Sequence, residues 1–198
     1  MPHLPTDALP GTRDRLIAAM TDALCRRGLH GIGLTELLAQ AGAPKGVLYH
    51  HFPGGKTELA VASIDDVVAR MLAWLDGLLS RHEDPIEAAR QWMQAATTRL
   101  SSTGFHAGCP LATVALESTP DDHALREALA RAFATLRERI AQALEQVGEP
   151  RESAQGVAAL IVATYEGGLL QARVAHSTEP IQQATQTLLT LLAARAKR

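Results

Sequence analysis

The chain has 198 residues, 46% hydrophobic and 20% charged, enough apolar material for a proper core and too much for a disordered chain. Nineteen Lys and Arg against 21 Asp and Glu leave −2, so any nucleic-acid site must be a local patch and not an overall basic field. Two cysteines, Cys25 and Cys109, are too few for a disulfide framework. The first residues, MPHLPTDALPGTRDRL, have prolines and acids where a secretory leader needs a cationic start and an apolar stretch. The longest apolar run, Val157 to Ala163, falls far short of the ~20 residues that span a bilayer. A soluble cytoplasmic chain is the expectation.

Aromatic residues are only 4%, and the Ala- and Leu-rich remainder favours helices over strands. Residues 1–10 hold Pro2, Pro5 and Pro10 and read as a loose arm. From Thr12 the pattern turns helical, with Leu16, Met20 and Leu24 four apart and Arg26-Arg27-Gly28 as a basic last turn and stop. Two short segments follow: LTELLAQA, from Leu34 to Ala41, ends at Gly42, and PKGVLYHHF, from Pro44 to Phe52, ends at Pro53-Gly54-Gly55. Lys56 to Ser80 carries an amphipathic stripe of about seven turns. Asp84-Pro85 opens a helix to about Ser102, and Cys109 to Ser118 is a short apolar helix behind Pro110. Leu125, Leu129, Phe133, Leu136, Ile140, Leu144 and Val147 mark a longer one, and two more run near 151–176 and 179–196. No stretch alternates as a strand would. The expected fold is all-α with nine helices.

Two short helices joined by a glycine-containing turn and preceded by a third match a helix-turn-helix. In that arrangement the first short helix braces the second, whose exposed face enters a DNA major groove. Leu48 and Phe52, four apart, anchor the second helix on the core and leave Lys45, Gly46, Val47, Tyr49 and His50 outward. Ammonium, phenol and imidazole suit phosphate oxygens, while Val47 and the bare Gly46 backbone can approach bases closely. Lys56 opens the next helix, where free backbone N–H groups also favour a phosphate. A plain helical hairpin gives similar spacing, so the pattern alone leaves both readings open.

The string GAPKGVLYHHFPGGKTELA, Gly42 to Ala60, resembles the signature of the TetR family of bacterial regulators. Its Ala-Pro-Lys-Gly turn and Phe-Pro-Gly-Gly-Lys break are most similar to the LmrA- and YxaF-like branch, as is Gly108-Cys109-Pro110-Leu111. The resemblance covers residues 12–64 well and the remainder mainly in helix order. It implies a DNA-binding domain over 1–55, an effector-binding and dimerisation domain over 56–198, and a homodimer through the last two helices. It further implies a repressor released from a palindromic operator by a small molecule, with no catalytic role, cofactor or metal. Carried over by position, Lys45, Gly46, Val47, Tyr49 and His50 belong to the recognition helix and Lys56 is a phosphate contact. Where many relatives have a Thr capping the first short helix, this chain has Gly33, so Thr35 stands in as the hydroxyl.

Other readings compete. Gly54-Gly55-Lys56-Thr57 ends like a phosphate-binding loop, but that motif's first glycine would fall at His50. His106 and Cys109 have an H-x-x-C spacing without a second ligand pair nearby. No order of Ser, His and Asp marks an enzyme. Cys25 in the basic turn Cys25-Arg26-Arg27 suits a thiolate if exposed, and Cys109 lies at a helix start, so a redox sensor is weighed against two inert buried thiols. For the effector pocket the expected residues are Met71, Trp74, Trp92, Met93, Phe105, His106, Cys109, Phe133, Tyr165 and Glu166, each weighed against plain core. For the dimer seam they are Val157, Ile161, Gly168, Ala172, Leu188 and Leu192, weighed against packing inside one chain.

Overall fold

Proline and glycine punctuation sets the helix boundaries, because proline fits the first turn and glycine tolerates the left-handed backbone that ends one. The computed structural model describes residues 11–195, so the arm expected over 1–10 lies outside the described residues. Among those described there are nine helices and no strand: α1 Thr12–Arg26, α2 Leu34–Gln40, α3 Lys45–His51, α4 Gly55–Leu79, α5 Pro85–Ser102, α6 Pro110–Glu117, α7 His123–Gln146, α8 Arg151–Ala175 and α9 Glu179–Arg195. Pro85 and Pro110 open α5 and α6, and the Asp84 carboxylate accepts from Ile86 N at 2.8 Å to cap the former. Gly42 turns the chain between α2 and α3 at φ +58°.

Helices α1 to α3 close on one apolar centre: Leu16, Met20 and Leu24 meet Leu37, Leu48 and Phe52, all buried. Leu59, Ala60 and Ile64 of α4 complete it, so the core runs on unbroken into the rest of the molecule. At 25 residues α4 is about 37 Å long and packs on α1, α5 and α7. Helices α7, α8 and α9 pack in sequence, with α9 folded back on α8 after His176.

That hairpin takes up, within one chain, the residues expected at the dimer seam. Val157, Ile161, Ala172 and Leu188 are buried in the chain's own core, and Leu192 packs partly against it. A Cβ placed at Gly168 would lie 2.9 Å from Ile181 Cγ1, so this glycine admits α9 of the same chain. Helix α8 carries small and apolar residues on two faces, and sequence periodicity cannot say which faces inward. The other face is the open one. Leu160 (47% exposed), Leu170 (45%) and Val174 (78%) lie along α8, and Leu191 (61%) lies on α9.

Candidate functional site

With Leu48 at zero exposure and Phe52 buried beneath it, α3 turns its other side to solvent. Lys45, Gly46, Tyr49 and His50 are exposed, Val47 is half-buried, and Thr35 of α2 is exposed nearby in the chain. Gly46 has open space where a side chain would be, so its backbone is approachable. Arg13 lies over the Phe52 ring, 5.4 Å from its centroid, and Arg27 pairs with Glu36 at 2.6 Å. An exposed short helix on a rigid footing, with a cation, a phenol and an imidazole on it, can hold phosphates and present a small face to bases.

Lys56 departs from the expectation of a free ammonium. Its Nζ donates to the carbonyls of both Leu29 and Ile32, each at 2.6 Å. Burial lowers its pKa, a shift that Glu117 partly offsets. The side chain fastens α4 to the loop after α1. Three other elements hold the same stretch: the Glu117 carboxylate accepts from Leu29 N at 2.6 Å and His30 N at 3.4 Å, Arg173 Nη2 donates to Arg26 O at 3.0 Å, and Gly108 N donates to Cys25 O at 3.0 Å. A side chain at Gly28 would collide with that carboxylate, which explains the glycine beyond a simple helix stop.

A cavity of about 350 Å3 opens between α1, α4, α5, α8 and residues 107–110. Of the residues expected there, Met71, Trp74, Trp92, Cys109 and Tyr165 line it. The Trp92 and Tyr165 rings stack at 4.2 Å with 4° between their planes. The others lie elsewhere. Met93 is buried, its sulfur accepting from the Thr185 hydroxyl at 3.3 Å. Phe105 and His106 face His176, with ring centroids 5.9 and 6.2 Å away, and Phe133 lines an open depression beside His123. Glu166 lies in a smaller hollow with Leu170 and Arg173, which shares Cys109 with the main cavity. Sequence reasoning missed Thr21, Arg70 and Arg99, which also line the main cavity. Thr21 carried a readable signal: it sits four residues after Ile17 and four before Cys25, a hydroxyl within an inward-facing row.

Burial decides the state of both thiols. Desolvation raises the pKa of Cys25 although the Arg99 guanidinium lies 3.7 Å from its sulfur. Cys109 is pushed well up, first by burial and then by the Glu166 carboxylate, to which it donates at 3.2 Å. The basic turn therefore does not make Cys25 a thiolate, and the inert reading is favoured. Burial also pushes Glu166 up to about 7, and its Oε2 has no hydrogen-bond partner among the described residues.

Residues 16–62 match the family model described as bacterial regulatory proteins, tetR family. Residues 85–187 match that of the transcriptional regulator LmrA/YxaF-like C-terminal domain. The uncharacterized HTH-type transcriptional regulator Rv0196 of Mycobacterium tuberculosis is 33% identical over 94% of this chain and 96% of its own. The HTH-type transcriptional repressor NemR of Escherichia coli is 28% identical over 92% and 94%. A crystal structure of regulatory protein TetR from Rhodobacter sphaeroides superposes with a TM-score of 0.79 at 25% identity, covering 90% of this chain and 97% of that one.

Two outcomes test the geometry. Lys56→Met should lower unfolding stability by about 1–3 kcal/mol, because two buried-side carbonyls lose a charged donor, and should leave the salt slope of duplex binding unchanged. A flattened slope with unaltered denaturant midpoint would instead put this ammonium on a phosphate. For Glu166, the folded carboxyl keeps its proton to about pH 7 while an unfolded one releases it near 4.5. The folded state thus binds more protons in that window, and stability falls as pH rises through it before levelling off. Glu166→Gln should therefore be most stabilising at pH 8 and near neutral at pH 4. Its rim still meets solvent, so the gain stays below about 3 kcal/mol. Parallel melting curves for the two proteins across this range would defeat the assignment.

Proposed function

The chain belongs to the TetR family of bacterial regulatory proteins, with an LmrA/YxaF-like C-terminal domain, and from that premise we propose a ligand-released repressor acting as a homodimer on a palindromic operator. The outward face of α3 carries the reading: Lys45, Tyr49 and His50 stand in solvent while Leu48 fixes the helix from beneath. Residues 1–55 form the DNA-reading part, with Gly46 and Val47 nearest the bases and Thr35 on the backbone. Residues 56–198 hold the effector and the partner copy. The repressor name of NemR supports the sign of regulation. Among the described residues no helix is long and apolar enough to cross a membrane, which suits a protein whose target is cytoplasmic DNA. A regulator of this kind needs no chemistry of its own, and no enzymatic step is assigned to it.

The partner copy is assigned to the exposed apolar residues that the packing of α9 on α8 leaves. Leu160, Leu170 and Val174 lie along one side of α8, Gly167 between them has open space above it, and Leu191 is likewise exposed on α9. Apolar residues in such a row favour a second helix pair, and a two-fold seam would bury both stripes. A dimer then sets two copies of α3 about one DNA turn, roughly 34 Å, apart.

Replacing both Leu170 and Val174 by Asp should split the dimer in sedimentation and abolish operator binding, with helicity retained. A variant that stays dimeric would move the seam to another face. Duplex selected from random sequence should be bound far more tightly than bulk DNA, with log K falling by about 0.9 for each phosphate neutralised. Val47→Ser should weaken the selected site by about 1 kcal/mol, alter the preferred base at one position in each half-site and leave the salt slope as it was. Equal affinity for selected and random duplex at every salt concentration would overturn the regulator reading. A lower melting temperature with unchanged base preference would return Val47 to the core.

A further inference from the structure

The cavity of about 350 Å3 is mostly apolar, with Thr21, Arg70 and Arg99 among its polar lining residues. Val67, Met71 and Trp74 of α4 occupy positions i, i+4 and i+7, hence one helix face, and Trp92 of α5 and Tyr165 of α8 add to the apolar lining. Its charged lining residues are Arg70 and Arg99, and no carboxylate lies among the described lining residues. Arg70 forms an exposed ion pair with Asp66, at 2.9 Å. Arg99 makes no ion pair among the described residues, and the contact of its Nη2 with Cys25 sulfur, at 3.7 Å, uses only a weak acceptor. One helical turn from Cys25, Thr21 is more than nine-tenths buried, and its Oγ1 has no partner among the described residues. A buried hydroxyl without a partner is destabilising, so an occupant that accepts its proton recovers a loss the cavity otherwise bears.

We propose that this cavity takes an aromatic carboxylic acid, the carboxylate held by the Arg99 guanidinium and the Thr21 hydroxyl and the ring laid against Trp74 and Met71. The inference rests on the ligand-responsive reading above and names the class of ligand for it. Guanidinium and carboxylate match in charge and in planar geometry, and a hydroxyl beside them satisfies a further lone pair. An organic cation would meet two guanidiniums and no carboxylate. A polyol would leave the apolar wall without contacts. At about 350 Å3 the space lies at the small end of ligand pockets, which suits one or two rings and not an extended chain. Thr21 belongs to α1 and Arg99 to α5, so the acid bridges the DNA-reading helices to the rest of the molecule.

Calorimetric titration of the full chain with benzoate, 2-naphthoate and 4-phenylbenzoate, each beside its neutral amide, tests this. At least one acid should bind tenfold or more tightly than its amide. Arg99→Met should erase that preference, Arg99→Lys should keep part of it, and Thr21→Val should weaken the acid several-fold, with melting temperatures checking that each variant folds. The chain's two tryptophans, Trp74 and Trp92, both line the cavity, so their emission should change as benzoate or its larger analogue binds. No acid preferred over its amide, a preference that survives Arg99→Met, or unchanged tryptophan emission on saturation overturns the proposal. Selective duplex binding by the ligand-free protein reads the regulator function separately. If that binding holds while acids fail, only the ligand class falls; if it is absent, the regulator reading falls.

Discussion

The stretch from Cys25 to Ile32 leaves a helix end and a loop full of backbone groups that α1 itself cannot satisfy, and the molecule is organised around meeting that demand. Lys56 of α4 takes two carbonyls, Glu117 of α6 takes two N–H groups, Arg173 of α8 takes the Arg26 carbonyl, and the Gly108 amide takes that of Cys25. Each partner comes from outside the first three helices. The DNA-reading unit is therefore not a bead on a string. Its main joint is held by four different parts of the remaining chain, in addition to the apolar core that α1 shares with α4.

This arrangement supplies what a ligand-responsive regulator needs, a joint that can be biased by what happens beside it. Residues 107–110 line the cavity on one side and bond to α1 through Gly108 on the other. Helix α8 lines the cavity with Tyr165 and Leu169 and reaches α1 with Arg173, about one turn beyond Leu169. An occupant that draws α5 toward α1, or wedges them apart, acts on the same few bonds that hold the loop before α2. It can shift the balance between two orientations of α3 only by binding one of them better.

Much of the fold was legible because its signals are local. Pro85 and Pro110 fix helix starts whatever surrounds them, Gly42 permits the turn before α3, and the row Leu125 to Leu144 on α7 has only one apolar face to bury. The packing of α8 was not legible for the opposite reason. Helix α8 is apolar on two sides, and which side Ile181 chose is a tertiary fact that Gly168 records without announcing. The site divides in the same way. Of the aromatic residues singled out for bulk, Trp74, Trp92 and Tyr165 line the cavity while Phe105 and Phe133 lie elsewhere, because bulk alone does not say which face of a helix it occupies. Arg99 and Lys56 were missed or misread because a cation on an amphipathic helix looks the same in sequence whether it meets solvent, a ligand or a carbonyl.

The magnitudes at the joint agree with such a role. Taking a population from 1:99 to 99:1 requires about 5.5 kcal/mol of differential affinity. A hydrogen bond to a charged group contributes about 1.5–3 kcal/mol, and less where it is exposed. The Arg173 bond is exposed, whereas those of Lys56 and the shorter one of Glu117 are part-buried, so the latter carry most of the hold. At about 1–3 kcal/mol for the two Lys56 bonds together, the Glu117 tie must be lost as well for the sum to approach the required range. Loss of the Arg173 contact alone falls short of it. A ligand effect transmitted only through the end of α8 would thus be graded and weak, whereas one that shifts both α4 and α6 against the loop approaches the size of a switch. Since α4 also lines the cavity with Met71 and Trp74, one helix carries both the contact with the occupant and the strongest tie to the loop.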